Sequence, residues 1–466
     1  MKRLFLLLIC ALLVSSACVA EEAARPAYVL QYGVRWFEEV GKLGLEGADG
    51  SALVPARFDA AGPFTEEWVE GRPMARVRIN SRVGLIDATG ATVIEPEWGS
   101  LEFAFGGAAC AIEEQSSGSL RCFVDIGTGA GLGFTARSAD LLAPDRLALY
   151  EVKPSPGKAA ADPRAEALLA AAKGYNGCIL VDSEWNVLAK PSCDYVDAFR
   201  EGAARAHANS GYGFIRMDGS WLSEPVWDYA EGFSEGFAQV EQDGRCGYLK
   251  LDGSDGFGRQ WKYATSFHSG VAFVYDGPVD DHDSGPSAVA DEWQMIDASG
   301  NVLLSGLGQS YTFANGLARF EQAGLQGTRF GYFDASGNVA IEPAWKSAED
   351  FSADGLALVR DGATGKFGFI DKTGALKIPC TLADAQGFVN GLAAFKGENG
   401  FWGFLDAEGN VAVEPVWGYV YGFDKPGYAK VLLESGWASY NTPYCIDRSG
   451  GLLGKGEFNS YVGGFW

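Results

Sequence analysis

Histidine is scarce in this chain of 466 residues: there are three, His207, His268 and His282, and no two stand at a metal-ligand spacing. Cysteine occurs nine times but never as CxxC, so neither a zinc ribbon nor a thioredoxin-type redox site is supported. Positive charge is short as well. Lys and Arg total 37 against 60 Asp and Glu, for a formal net charge of −23. Such a surface repels phosphate backbones and anionic headgroups, which argues against nucleic acid as a partner. Long apolar runs are also missing. The clearest, residues 4–14, is eleven residues long and too short to span a bilayer. Disorder is excluded from the other side, because 47% of residues are apolar and 13% aromatic. Glycine is abundant (63) without a collagen period, and glycine rising together with aromatics suits short strands joined by tight turns.

The first twenty residues read as a secretory signal peptide. Lys2 and Arg3 precede the apolar run, and small residues follow from Ser15 to Ala20. Two cleavage readings compete. Residues 14–18 resemble a lipobox, which would leave Cys18 as a lipidated first residue. Alternatively, ordinary cleavage would follow Ala20. Either way the expected location is outside the cytosol: a cell-envelope lipoprotein or an extracellular or periplasmic protein, touching membrane only through the lipid anchor. Without Lys2 and Arg3 the mature chain would carry 35 − 60 = −25 charges.

Most of the remaining chain repeats. Residues 391–423 show the unit most clearly. Three short apolar segments, 392–395, 401–405 and 411–413, are separated by Gly397–Gly400 and Asp406–Gly409. Segments this short, bounded by Gly, Asn and Asp, are strands and not helices, so the unit is a small antiparallel meander. Closing aromatics recur at Phe199, Phe233, Phe267, Phe313, Phe351, Phe388 and Phe423, at intervals of 34, 34, 46, 38, 37 and 35 residues. The longest interval carries the acidic insertion 276–286. Alternation places Trp402 and Phe404 on one strand face, with Gly403 and Leu405 on the other. Gly403 lets a neighbouring ring or backbone approach closely, Asp406 can cap the following turn, and Pro415 is expected to end the third strand. About eleven units are expected, a period in the range of repeat architectures. Residues 28–150 hold degenerate copies and 176–466 the regular ones. Between them, Asp162-Pro163 opens the one convincing helix, 164–173, as an insertion within a repeat or a joint between sub-arrays.

The recurring motifs are Phe330-Gly-Tyr-Phe-Asp334, Phe367-Gly-Phe-Ile-Asp371 and Trp402-Gly-Phe-Leu-Asp406, each followed by a turn glycine. Glu224-Pro-Val-Trp227, Glu342-Pro-Ala-Trp345 and Glu414-Pro-Val-Trp417 come next. In this order they resemble the WG-repeat family of bacterial proteins, over roughly residues 60–450 and best over 200–425. Only Trp402-Gly403 is a literal Trp-Gly at that point. The resemblance implies an all-β tandem-repeat domain, often on exported or envelope proteins, and brings no catalytic residues to carry over.

Candidate sites are few. Gly232–Gly236 matches GxSxG around Ser234, but the same slot reads Asn315 and Asn390 in other copies, so it is a turn and not a nucleophile elbow. Asp280, Asp281 and Asp283 form an oxygen-rich stretch for Ca²⁺ only in a weak sense, lacking the D-x-D-x-D-G order; a solvated charged loop is the plainer reading. Cys110 and Cys122 could pair across a hairpin, as could Cys178 and Cys193, which bracket another. Trp98, Trp227, Trp345 and Trp417 share one repeat position and, with Trp402, are expected to pack between repeats; exposed, they would instead form a row for glycan.

The expected fold is all-β, a tandem array of short antiparallel meanders. With more units than the usual four to eight propeller blades, an open or superhelical solenoid is expected, with propeller-like closure as the alternative. The expected function is a non-enzymatic exported binding or scaffold protein at the cell envelope, contacting protein or cell-wall glycan and needing no cofactor. The alternatives are an envelope glycan hydrolase with carboxylates from different repeats, or a purely structural spacer.

Overall fold

The computed structural model describes residues 27–115, 118–155, 162–209, 211–277, 293–307, 309–323, 327–423, 427–433 and 443–456. These residues form ten antiparallel sheets and one helix. Four sheets and both halves of the eight-stranded sheet share one plan, seen in Ser347–Ala348, Leu356–Arg360, Phe367–Asp371 and Leu376–Leu382. A two-residue strand enters, and three longer strands then pair in chain order.

The meanders are arranged as a β-propeller, the alternative read from the sequence, and not as the open solenoid. The reason lies at the two ends of the array. The eight-stranded sheet consists of the last four described strands joined to the meander of residues 60–98, through Ala61 opposite Lys455. Val29 N donates to Leu452 O at 2.9 Å, Gln31 Nε2 to Leu453 O at 2.9 Å, and Lys455 Nζ to Glu38 Oε1 at 2.7 Å. Strand edges that a solenoid would leave open are thereby paired.

The core lies between successive units. One ring contact recurs: the second-strand aromatic of one sheet meets the Phe that closes its repeat, which lies in or just after the entering strand of the next sheet. Phe214 meets Phe233 at 5.0 Å, Tyr332 meets Phe351 at 4.8 Å, Phe369 meets Phe388 at 4.8 Å and Phe404 meets Phe423 at 4.9 Å, all tilted or edge-on. A lone meander could not cover these rings, so each unit depends on its neighbour.

Two details of the unit follow from the register. Val411–Trp417 is a single strand that runs through Pro415, contrary to the expectation that proline ends it. Trp402 and Phe404 face Trp417 and Val413, so two residues on one strand span four on the other. Pro415 sits in that bulge, where no ladder bond is required of it. The bulged backbone crosses directly over Gly403: a Cβ there would lie 2.4 Å from Val413 O and 2.8 Å from Pro415 N. Gly84, Gly213 and Gly331 meet the same crossing. The turn works as expected. Asp406 Oδ1 accepts from Glu408 N at 3.1 Å and Asn410 N at 2.8 Å.

Helix α1, Pro163–Ala172, begins at the N-cap Asp162, whose side chain accepts from Arg164 N. It is an insertion within a repeat, between Arg146–Tyr150 and its partner strand Cys178–Asp182. Ala165, Leu168 and Ala172 are buried against the core of residues 103–185.

Candidate functional site

The residues singled out in the sequence fall into several groups. Cys18, Asp280, Asp281 and Asp283 lie outside the described residues. Trp417 is fully buried, while Trp98, Trp227, Trp345 and Trp402 are half-buried at the edges of inter-unit cores. Trp402 lies directly across from Trp417 in its own unit, and Trp227 Nε1 donates to Ser223 Oγ at 3.0 Å.

Cys110 and Cys122 do not face each other. Cys110 is opposite Phe123 and Cys122 opposite Ala111, which sends the two side chains to opposite faces of the hairpin; both are free thiols. Cys178 and Cys193 are also thiols, buried in one core.

Ser234 occupies a turn, as expected. Its Oγ donates to Phe267 O, 2.6 Å away in the next unit. Glu235, at φ 54°, accepts from Ser269 N and Gly270 N at 2.7 Å, while Glu201 accepts from Glu235 N and Gly236 N. Asn390 Nδ2 donates to Phe423 O at 2.6 Å from the equivalent slot. These turns clamp one unit to the next.

A different set of rings is brought together at the surface. Tyr195 and Tyr229 begin the short entering strands of two successive units and are 36% and 39% exposed. Tyr195 pairs across its sheet with His207 and stacks on that imidazole, with centroids 5.3 Å apart and planes within 4°. His207 meets Tyr212 edge-on at 5.0 Å, and Tyr212 meets Tyr229 at 5.9 Å. The result is a continuous row of four rings over two units.

Charged groups flank the row. Arg205 lies over Tyr212 with its guanidinium carbon 5.4 Å from the ring centre, and its Nε donates to Asp197 Oδ2 at 2.6 Å. Its Nη1 donates to Ala230 O at 2.6 Å, which ties the two units together. His207 Nδ1 is 3.1 Å from Asp194 Oδ2, and Tyr229 OH donates to Glu231. Desolvation, with the hydroxyl contact to Tyr212 behind it, pushes the Tyr195 phenol up to about 12. The Glu231 hydrogen bond raises Tyr229. Both phenols are therefore neutral donors at pH 7. Apolar ring faces framed by hydroxyl, carboxylate and guanidinium groups can stack on a flat apolar ligand face and bond its polar edge.

The row is not among the sites expected from the sequence. The signal was present: tyrosine recurs at 195, 229 and 263, with an interval of 34, always as the first residue of the entering strand. Among the described residues no group of His, Cys, Asp and Glu is arranged to hold a metal ion.

No curated protein matches the chain. Solved structures do, at low similarity. A eukaryotic initiation factor shares 12% identity at a TM-score of 0.37, over 84% of this chain and 97% of its own. The extracellular domain of BT4673 from B. thetaiotaomicron shares 10% identity at a TM-score of 0.22, over 92% of this chain and 69% of its own. Hsv2 of Kluyveromyces lactis shares 8% identity at a TM-score of 0.26, over 53% of this chain and 87% of its own. These scores carry no statement about function. The family described as "WG containing repeat" matches residues 212–246, 330–364, 367–400 and 402–437. Those segments hold the glycine-under-bulge strand and its Asp-capped turn, and these four stretches are WG-containing repeats.

Proposed function

We propose that the protein is a non-enzymatic binding or scaffold module, exported to the cell envelope, and that the row Tyr195, His207, Tyr212 and Tyr229 contacts cell-wall glycan. The observation that carries this reading is the exposure of the row. Tyr195 and Tyr229 are exposed, and with the half-buried His207 and Tyr212 they form a row of four adjoining rings beside Arg205, Asp197 and Glu231, longer than the exposed pair Tyr419 and Tyr421. The apolar face of a sugar ring suits a tyrosine face, and its hydroxyls suit the flanking acceptors and donors. Export rests on the signal-like segment at residues 1–20.

The test uses glycan arrays and envelope extracts with the wild-type chain and a Tyr195→Ala/Tyr229→Ala variant. Saturable retention of wild type on glycan, lost in the variant whose far-UV spectrum and melting temperature are unchanged, is the expected result. Retention by a protein in the extract but by no glycan would replace glycan with a protein partner. No saturable binding to either would leave a structural spacer and sink the proposal.

A further inference from the structure

Where the two ends of the array meet, a small crevice with about 20 Å³ of water-accessible space opens between residues 62–76 and 428–456. It is remote in sequence from the ring row and needs nothing from it. Its lining includes Gly62, Glu67, Trp68, Arg76 and Lys430. Arg76 is nine-tenths buried. Its guanidinium carbon lies 4.7 Å from the centre of the Trp68 ring. Its Nη2 lies 3.2 Å from Glu67 Oε1 and reaches Glu102 O only at 3.4 Å. Among the described residues its Nε has no hydrogen-bond partner.

The repeat shows what is missing. Arg205 holds the equivalent place in a later unit. There Asp197 N donates to Arg205 O, as Gly62 N donates to Arg76 O, both at 2.9 Å. Asp197 and Gly62 are thus the same position. In the later unit the Asp197 carboxylate accepts from Arg205 Nε at 2.6 Å. In the first it is replaced by glycine, and Gly62 lines the crevice. A buried guanidinium N–H without an acceptor is costly, and burial pushes this guanidinium down from its ordinary value. Among the charged side chains lining the crevice, Arg76 and Lys430 outnumber Glu67, so one positive charge is left over in a strongly acidic protein.

We infer that this crevice is a binding site for a small monocarboxylate, whose carboxylate takes the place of the missing Asp side chain and accepts from Arg76 Nε. Two oxygens suit the fork of a guanidinium better than a spherical anion does. Lys430 supplies the second cation, and Trp68 covers the apolar end.

The Nε–Hε signal of Arg76 in the full chain, assigned by its loss in Arg76→Lys, reports the site directly. Titration with acetate is expected to shift it saturably, whereas acetamide and chloride at equal ionic strength do not. Gly62→Asp restores the repeat's own carboxylate. It should move the signal without ligand and weaken acetate at least about tenfold. Should Gly62→Asp fail to fold, Arg76→Lys, which keeps the charge and lacks Nε, must lose acetate-induced thermal stabilisation. No saturable shift with acetate, an equal response to acetamide or chloride, or undiminished acetate binding in a folded Gly62→Asp would each overturn the assignment.

Discussion

Residues 347–423 repeat one another almost position for position, whereas residues 100–189 do not; yet both stretches build antiparallel meanders and bury large rings. In the regular stretch each interface is closed by one ring pair, Phe369 with Phe388 and Phe404 with Phe423. In the irregular stretch the Pro-Trp element is gone and a single residue does the joining. Trp185 packs against Phe105, Phe123 and Phe134 at 5.5, 5.1 and 5.6 Å, and its Nε1 donates to Gly106 O at 2.9 Å. Helix α1 closes the same core through Leu168. What the array conserves is therefore a filled interface, not a fixed set of side chains.

That difference can be broken experimentally. Trp185→Ala should have the largest effect, about 3–5 kcal/mol, because one ring serves three others. Native-state hydrogen exchange of the amides in Cys178–Asp182 would register it, and a loss under about 1 kcal/mol would refute the role given to this side chain. Leu168→Ala should follow at about 2–3 kcal/mol, with faster exchange confined to the irregular stretch. If the helix were merely appended, the change would leave the neighbouring strands untouched.

Gly403→Ala sharpens the comparison from the regular side. Its Cβ would meet fixed backbone, and about 1–3 kcal/mol should be lost. Gly247 holds the same strand position in a unit without the Pro bulge, and a Cβ there would find only Gln260 Cγ at 3.7 Å. Gly247→Ala should be close to neutral in thermal melts. Equal losses at both glycines would show that the bulge is not the reason for the glycine.

The smallest effect is pH-dependent. Hydrogen bonds from Asn410, Thr373 and Asn338 hold the carboxyls of Asp406, Asp371 and Asp334 below the ordinary value of about 3.9. A carboxyl depressed in the folded state contributes stability above its unfolded pKa, and the contribution is lost as pH falls through the folded value. Melting temperature should thus hold from pH 7 to about 5 and decline below about 4. A melt that rises on acidification to pH 3 would reverse the sign and remove these turns from the account.

The sequence carried the unit well where spacing alone defines it. Asp406 and its turn, the N-cap at Asp162 and the Phe at each closing position could all be placed from residue type and interval. Proline at 415 misled because its effect depends on which ladder bond it would have to make, and that is set by a bulge whose register no single strand reveals. The Cys110–Cys122 pairing failed for a similar reason: a one-residue offset in register turns the two side chains to opposite faces. Closure was harder still, since unit number suggested openness and only the contact between both ends decides it. The ring row escaped notice because Tyr195 and Tyr229 gain their meaning from His207 and Tyr212 on neighbouring strands.

The join between the two ends also sets an order of events. Lys455 and Glu38 are 417 residues apart, and Gln31 and Leu453 are 422 apart. Contacts between units need only short loops, so they can form early, whereas this seam must wait until nearly the whole chain is in place. Until then Ala60–Ala61 and Leu452–Lys455 are bare strand edges, open to pairing with another molecule. In pulse-labelled refolding the amides of these two strands should be the last protected, and crowding during refolding should yield oligomers joined through them.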